Sequence, residues 1–264
     1  PRALGFSDDD PADGLCIAFG WDARRPPLAT LAAHGRNDFA MVYDDARRAG
    51  RALAEMLARI AAHRPDIAPD FLTHSLGARV ALQAIAARPG MALGRAVLLG
   101  AAEFAGEAGA TVRAHAQAGG TLDVYHVMSR ANDLYDALFE RLAPRPARAG
   151  DRPLGLRGMP ACPDLERRWI DIQLDHPGTP ALLAARGHGL ARPVEVFSHW
   201  HFYSDPGAMS VWRAILRARP TWEIAELRRA GLARREDRRW TRLVRALPGL
   251  ALPRPRPAPE PLSA

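Results

Sequence analysis

The sequence contains no lysine, and all 36 of its basic residues are arginine. Together with 22 glycines, 23 prolines and abundant alanine, this indicates a compositional bias, so the net charge of +7 does not by itself indicate a nucleic-acid partner. The positive charge is also uneven, because residues 213–264 carry 13 arginines against 5 acidic residues, whereas residues 1–212 carry 23 against 24. The body is neutral and the C-terminal part is basic, and we expect no nucleic-acid binding.

Cysteine is also scarce, since Cys16 and Cys162 are the only two and lie far apart in the chain. They predict neither a disulfide framework nor a cysteine metal site, and no metal or other cofactor is expected. No apolar run approaches the roughly 18 residues that a membrane-spanning helix needs, and no signal-peptide pattern follows Pro1. We expect a cytoplasmic location, with export left open because the first residue is not methionine.

The chain is long enough for one sizeable core, with 264 residues, 48% hydrophobic and 25% charged. We predict an α/β domain over residues 1–221, a basic amphipathic helix over residues 222–247 and a Pro-rich disordered tail over residues 248–264. The helix could dock on the body or make a weak contact with an anionic membrane surface.

Short apolar runs alternate with helical patterns along the first domain. Helices are predicted at residues 39–63 and 78–88, and strands at residues 15–19, 70–73, 96–101, 122–129 and 169–174. This alternation predicts an α/β fold with a mostly parallel, doubly wound sheet flanked by helices. A Pro- and Arg-rich loop at residues 144–164 could cover a site at the edge of the sheet.

A serine stands where a predicted strand turns into a predicted helix, in the segment Thr73-His74-Ser75-Leu76-Gly77. A nucleophile elbow requires this context, and small residues two before and two after the nucleophile allow its sharp turn. Gly77 satisfies that requirement, whereas Thr73 departs from it. Ser75 is the candidate nucleophile, and the alternative is that it only caps the following helix.

A serine hydroxyl needs a base to take its proton and an acid to orient that base. Asp133 follows the strand at residues 122–129 and is the candidate acid, with Asp136 as its competitor and a helix cap as its alternative role. His199 is the candidate base in the loop after the last strand, and His201, two residues on, is its competitor. The order nucleophile, acid, histidine is that of α/β-hydrolases.

These segments resemble a poorly characterised group of bacterial α/β-hydrolases, in which an AHSMG-like elbow stands where this chain has THSLG. The resemblance also involves residues 96–104, 129–133 and 198–200. It implies a serine hydrolase that cleaves a carboxylic ester or related acyl compound through an acyl-enzyme, with Ser75, Asp133 and His199 as the catalytic triad. A small-molecule acyl substrate is the implied partner; thioesterase and amidase activities stay open.

The oxyanion of such a reaction needs two backbone N–H donors. Leu76 would supply one, and relatives usually supply the other from a His-Gly pair after an early strand. Here His34-Gly35 does not follow such a strand, so we expect that the fold lacks its first strands and that they precede Pro1. If so, ester hydrolysis by the complete gene product should be faster than by this chain.

The same residues also allow the hypothesis of a non-catalytic protein. A protein that keeps the fold but lacks a complete oxyanion site could act as a binding or scaffold protein through its basic C-terminal segment. The two hypotheses differ in what they require of Ser75, since only an enzyme loses function when its hydroxyl is removed.

Overall fold

A computed structural model describes residues 1–6, 14–23, 38–144, 146, 148–191 and 196–233. Its centre is a four-stranded, all-parallel sheet in the order β1-β2-β3-β4. The strands are β1 (Phe71–His74), β2 (Ala92–Leu99), β3 (Thr121–Met128) and β4 (Trp169–Gln173). The alternating elements therefore form the α/β sheet with parallel strands that the sequence predicts.

Helices cover the sheet and connect its strands. They are α1 (Asp38–His63), α2 (Leu76–Ala87), α3 (Ala105–Gln117), α4 (Asp133–Leu142), α5 (Leu154–Arg157), α6 (Thr179–Ala184), α7 (His201–Ser204), α8 (Pro206–Arg217) and α9 (Ile224–Arg229). Short 3₁₀ helices lie at Arg2–Leu4, Arg130–Asn132, Pro163–Leu165 and Arg219–Trp222. None of the described helices is both long and apolar enough to cross a membrane.

Two apolar cores lie on opposite faces of the sheet. One packs Leu98 and Val124 against α1, α2 and α3, and the other packs Val97 and Tyr125 against α8 and α9. Adjacent residues of a strand point to opposite faces, which is why near-continuous apolar strands can serve both cores. Helices thus flank both faces, while the strand order runs without a reversal through the described sheet.

The predicted first strand at residues 15–19 is wrong. Residues 14–23 form neither helix nor strand, and the side chains of Leu15 and Ile17 are 81% and 49% exposed. Only Phe19 and Trp21 reach the core. A short apolar run predicts burial, but it does not determine whether the segment pairs with a strand. In the described sheet β1 is an edge strand, and residues 15–19 do not pair with it.

Helix α9 covers only part of the described portion of the helix that is predicted at residues 222–247. It ends at Arg229, and Gly231 follows in the left-handed conformation with φ 85°. Leu232 N–H then donates to the carbonyl oxygen of Leu227, a helix-terminating pattern that glycine favours. The rest of the predicted helix and the predicted tail at residues 248–264 lie outside the described residues.

The loop at residues 144–164, which the sequence suggested as a cover, contributes its segment at residues 153–156 to the core. Leu154 and Leu156 of α5 are fully buried, and Leu154 N–H donates to the carbonyl oxygen of Glu103 at 2.9 Å. A segment with two buried leucines and a backbone hydrogen bond to the loop after β2 cannot open without exposing them.

Helices α1 and α2 pack closely at Gly50. A methyl group there would lie 2.6 Å from the Cβ of Gln83 and 2.8 Å from the carbonyl oxygen of Val80. Gly50→Ala should therefore lower the free energy of unfolding by about 1–3 kcal/mol, even though alanine favours helix. Urea unfolding followed by circular dichroism measures this.

Gly189→Ala is the matched control, because no atom lies within 4 Å of a Cβ at that position. A Gly50→Ala protein as stable as the Gly189→Ala protein would show that the two helices do not pack as described.

Candidate active site

Ser75 occupies a strained turn between β1 and α2. Its φ of 54° and ψ of −125° lie in a region that L-residues rarely adopt, and it is the only non-glycine residue with positive φ in the described ranges. The turn is held on both sides, since Ser75 N–H donates to Leu99 at 2.9 Å and its carbonyl oxygen accepts from Ala102 at 3.1 Å. Such a turn exposes the serine at the carboxyl edge of the sheet, as a nucleophile elbow requires.

A buried ion pair supports the helix that follows this turn. Arg79, one turn into α2, donates to Glu103 at 2.6 Å, and the hydroxyl of Tyr43 on α1 donates to the same carboxylate at 2.6 Å. The Arg79 guanidinium also lies 3.5 Å from the centre of the Tyr43 ring. Because Glu103 follows β2, these contacts join α1, α2 and the carboxyl edge of the sheet into one unit.

The loop that carries His199 is attached to the loop after β3. Ser198 N–H donates to the carbonyl oxygen of Ala131 at 2.9 Å. His199 Nδ1 then lies 2.7 Å from Asn132 Oδ1, and the Tyr135 ring stacks on the imidazole at 4.5 Å. An amide oxygen only accepts, so Nδ1 carries the proton and Nε2 keeps its lone pair.

Asp133, the acid candidate, is placed differently. It is the first residue of α4, is fully buried and accepts from Arg130 Nη1 at 3.1 Å. The described contact of His199 Nδ1 is with the preceding residue, Asn132. The acid role of Asp133 stays a prediction, and the structure adds Asn132 as the residue that orients the imidazole.

Asp136, the competitor for the acid role, lies inside α4 behind Asn132. The Asn132 amide nitrogen donates to Asp136 Oδ1 at 3.0 Å, which turns the amide oxygen toward His199. Complete burial raises the pKa of Asp136 to about 8, and the Asp133 charge raises it further, against Arg130 and Asn132, which lower it. The carboxyl group is therefore mostly neutral at pH 7 and still accepts the hydrogen bond.

His74 packs against His199 from the side of the elbow. Its Nε2–H donates to the carbonyl oxygen of His199 at 2.8 Å, and the two ring centres are 4.3 Å apart. Burial, followed by the neighbouring His74 and His201, lowers the pKa of His199 to about 4. The imidazole is thus neutral near pH 7, the state that a general base requires.

His201, the competing base, begins α7 and places its Nδ1 2.9 Å from the carbonyl oxygen of Ser198. The histidine whose ring contacts Asn132 and His74 is therefore His199. Across the described ranges, no three His, Cys, Asp or Glu side chains are grouped so that they could hold a metal ion.

Leu76 begins α2, so its N–H is at the amino end of a 12-residue helix, directly after Ser75. That is the position of the predicted first oxyanion donor. His34-Gly35, the pair considered for the second donor, lies outside the described residues. No hydrogen bond of the Ser75 hydroxyl is found among the described residues, and bonds between a nucleophile and its base are often long or poorly aligned until substrate binds.

Comparisons with protein-family profiles, curated proteins and solved structures return no match to this chain.

The contacts that Asn132, Tyr135 and His74 make with His199 are not evident from the sequence. Asn132 adjoins the predicted acid, and a pattern of residue types does not say which of two neighbours faces the histidine. Tyr135 and His74 lie close to Asp133 and Ser75 in the chain. Their closeness in the chain to Asp133 and Ser75 was the only indication that they belong to the site, because stacking and ring contacts depend on where the loops meet.

The raised pKa of Asp136 predicts a pH-dependent contribution to stability. Its pKa rises from 3.8 to about 8 on folding, so the folded state holds the proton more tightly. That stabilisation is complete below about pH 4 and is lost as the pH rises through 8. Asp136→Asn should gain stability relative to wild type between pH 5 and 8, by at most about 1.4 kcal/mol per pH unit. Urea unfolding at each pH measures it.

Asp66→Asn is the control, because Asp66 is exposed and its hydrogen bond with Arg64 lowers its pKa to about 2. Its stability difference from wild type should be flat from pH 5 to 8. An equally flat difference for Asp136→Asn would mean that Asp136 is ionised in the folded protein.

Proposed function

We propose that this chain is a serine hydrolase of the α/β-hydrolase fold, which cleaves a carboxylic ester or related acyl compound through an acyl-enzyme on Ser75. The observation that carries the proposal is the strained Ser75 turn, whose preceding residue His74 packs on a neutral, oriented His199. Strain of this kind costs about 1–3 kcal/mol and persists where the surrounding structure holds it, typically at functional sites.

In the acylation step, the Ser75 hydroxyl oxygen attacks the ester carbonyl while His199 Nε2 takes its proton. The tetrahedral oxyanion accepts a hydrogen bond from Leu76 N–H. When the C–O bond to the alcohol breaks, His199 returns the proton to the leaving oxygen. Water then attacks the acyl-enzyme with His199 again as base, and the acid is released with Ser75 restored.

Asn132 has a positioning role in this scheme. Its oxygen holds the Nδ1–H tautomer of His199, and Asp136 holds the amide the right way round. An amide orients the histidine as the asparagine of Cys-His-Asn enzymes does, but it adds no negative charge to stabilise the imidazolium. Asp133, which follows Asn132 in the chain and pairs with Arg130, is the candidate for that charge.

Ser75→Ala should abolish labelling by a fluorophosphonate probe, which reacts with activated serines without requiring a known substrate. Ser204→Ala, which removes an exposed hydroxyl near the site, should leave labelling at the wild-type rate. The readout is fluorescence of the labelled band over time, with circular dichroism to confirm folding. Absence of labelling in the folded wild-type protein would count against the enzyme and in favour of the scaffold hypothesis.

The rate of labelling should also report the lowered pKa of His199. Only the neutral imidazole can act as base, so the rate should stay level from pH 8 to 5 and fall to half near pH 4. In Asn132→Asp a carboxylate next to the imidazole favours its charged form, and the midpoint should rise by about one pH unit or more.

Circular dichroism over the same range separates titration from acid unfolding. A wild-type midpoint near 6.5 would contradict the burial of His199, and an unmoved midpoint in Asn132→Asp would contradict its contact with residue 132.

A further inference from the structure

Aromatic side chains surround His199 and continue to the surface. Trp200 and Tyr203 are 54% and 41% exposed, and their ring centres are 6.3 Å apart. Trp200 lies 5.2 Å from the His199 ring, and Tyr203 lies 5.0 Å from the His74 ring. We call Trp200, Tyr203 and the stacked Tyr135 the aromatic rim.

The exposure of Trp200 contrasts with the burial of three other tryptophans. Trp169, Trp212 and Trp222 are buried in the cores. The rim also continues along α4, where Leu138 and Leu142 follow Tyr135 at three and seven residues, the spacing of one helix face. Both leucines are exposed. An apolar surface that begins at a candidate general base and runs outward is typical of a ligand-binding surface.

The position of the rim indicates which part of an ester it would meet. In acylation the histidine gives its proton to the oxygen of the departing alcohol, so the groups around His199 lie next to the alcohol. The acyl part instead lies over Ser75 and the Leu76 N–H, where the oxyanion forms. Tyr135 and Trp200 contact His199 itself, so they lie on the alcohol side.

We propose that the aromatic rim binds the alcohol portion of the substrate, and that this portion is apolar, aryl-alkyl or aliphatic, rather than charged or sugar-like. This inference rests on the proposed function. The bond that breaks is the ester C–O bond, the proton from Ser75 passes through His199 to the alcohol oxygen, and the alcohol leaves across the rim.

The test compares kcat/KM for 2-phenylethyl acetate and ethyl acetate in wild type and Trp200→Ala. The two esters form the same acetyl-enzyme and have alcohols of similar basicity, so their ratio reports contacts of the alcohol alone. We expect wild type to favour the phenylethyl ester, and Trp200→Ala to reduce the ratio about tenfold, as for loss of an aromatic contact and its buried area.

Ile67→Ala is the matched control, because Ile67 is an exposed apolar residue in the loop before β1, at the opposite edge of the sheet. Its ratio should equal that of wild type. A second pair, ethyl phenylacetate and ethyl acetate, varies the acyl part and should show no comparable change in Trp200→Ala.

An unchanged alcohol ratio in a Trp200→Ala protein that hydrolyses both acetates would overturn the rim proposal and leave the hydrolase proposal standing. A change confined to the acyl pair would also overturn it. Failure of wild type both to hydrolyse any ester and to react with fluorophosphonate would instead remove the hydrolase proposal, and the rim proposal with it.

Discussion

The arrangement of the site depends on one buried arginine. Arg130 is 2% exposed, and its guanidinium donates to the Asp133 carboxylate. The guanidinium also donates to the carbonyl oxygens of Gly155 and Leu156. The backbone N–H of Arg130 donates to the carboxylate of Asp175. These contacts hold the loop after β3, the start of α4, the α5 segment and the end of β4 together. A guanidinium in the interior is stable only with such partners. Asn132 and the attachment of the His199 loop at Ala131 follow directly from that placement.

Burial then sets the protonation states around the imidazole. The same removal of water that keeps Asp136 protonated keeps His199 unprotonated, because burial disfavours the charged form of either group. The neutral pair is joined through Asn132, which accepts on one side and donates on the other. The histidine is therefore oriented by geometry and kept neutral by burial, whereas a carboxylate partner would orient it but favour its charged form.

The sequence was sufficient to predict β1, α2, β2, β3 and β4, because each contains a short apolar run or an amphipathic pattern bounded by Gly, Pro or a change of period. It also pointed to the Ser75 turn and to the His199 loop, while the catalytic roles of these two residues stay predictions. It failed at residues 15–19, where apolarity did not determine pairing, and at Gly231, which ends α9. The choice between Asn132 and Asp133 depended on how Arg130 is packed, which no local pattern records.

The described contacts of the His199 ring are with the Asn132 amide and the rings of His74, Tyr135 and Trp200, groups that carry no formal charge at neutral pH. Dissolved salt screens exposed charges over distances of about 10 Å at 0.1 M, but it has little to screen inside such a shell. The ionic strength of the medium will act instead on the arginines of the C-terminal part. Added salt therefore provides a means to vary the surface contacts of this protein while the protonation state of His199 stays unchanged.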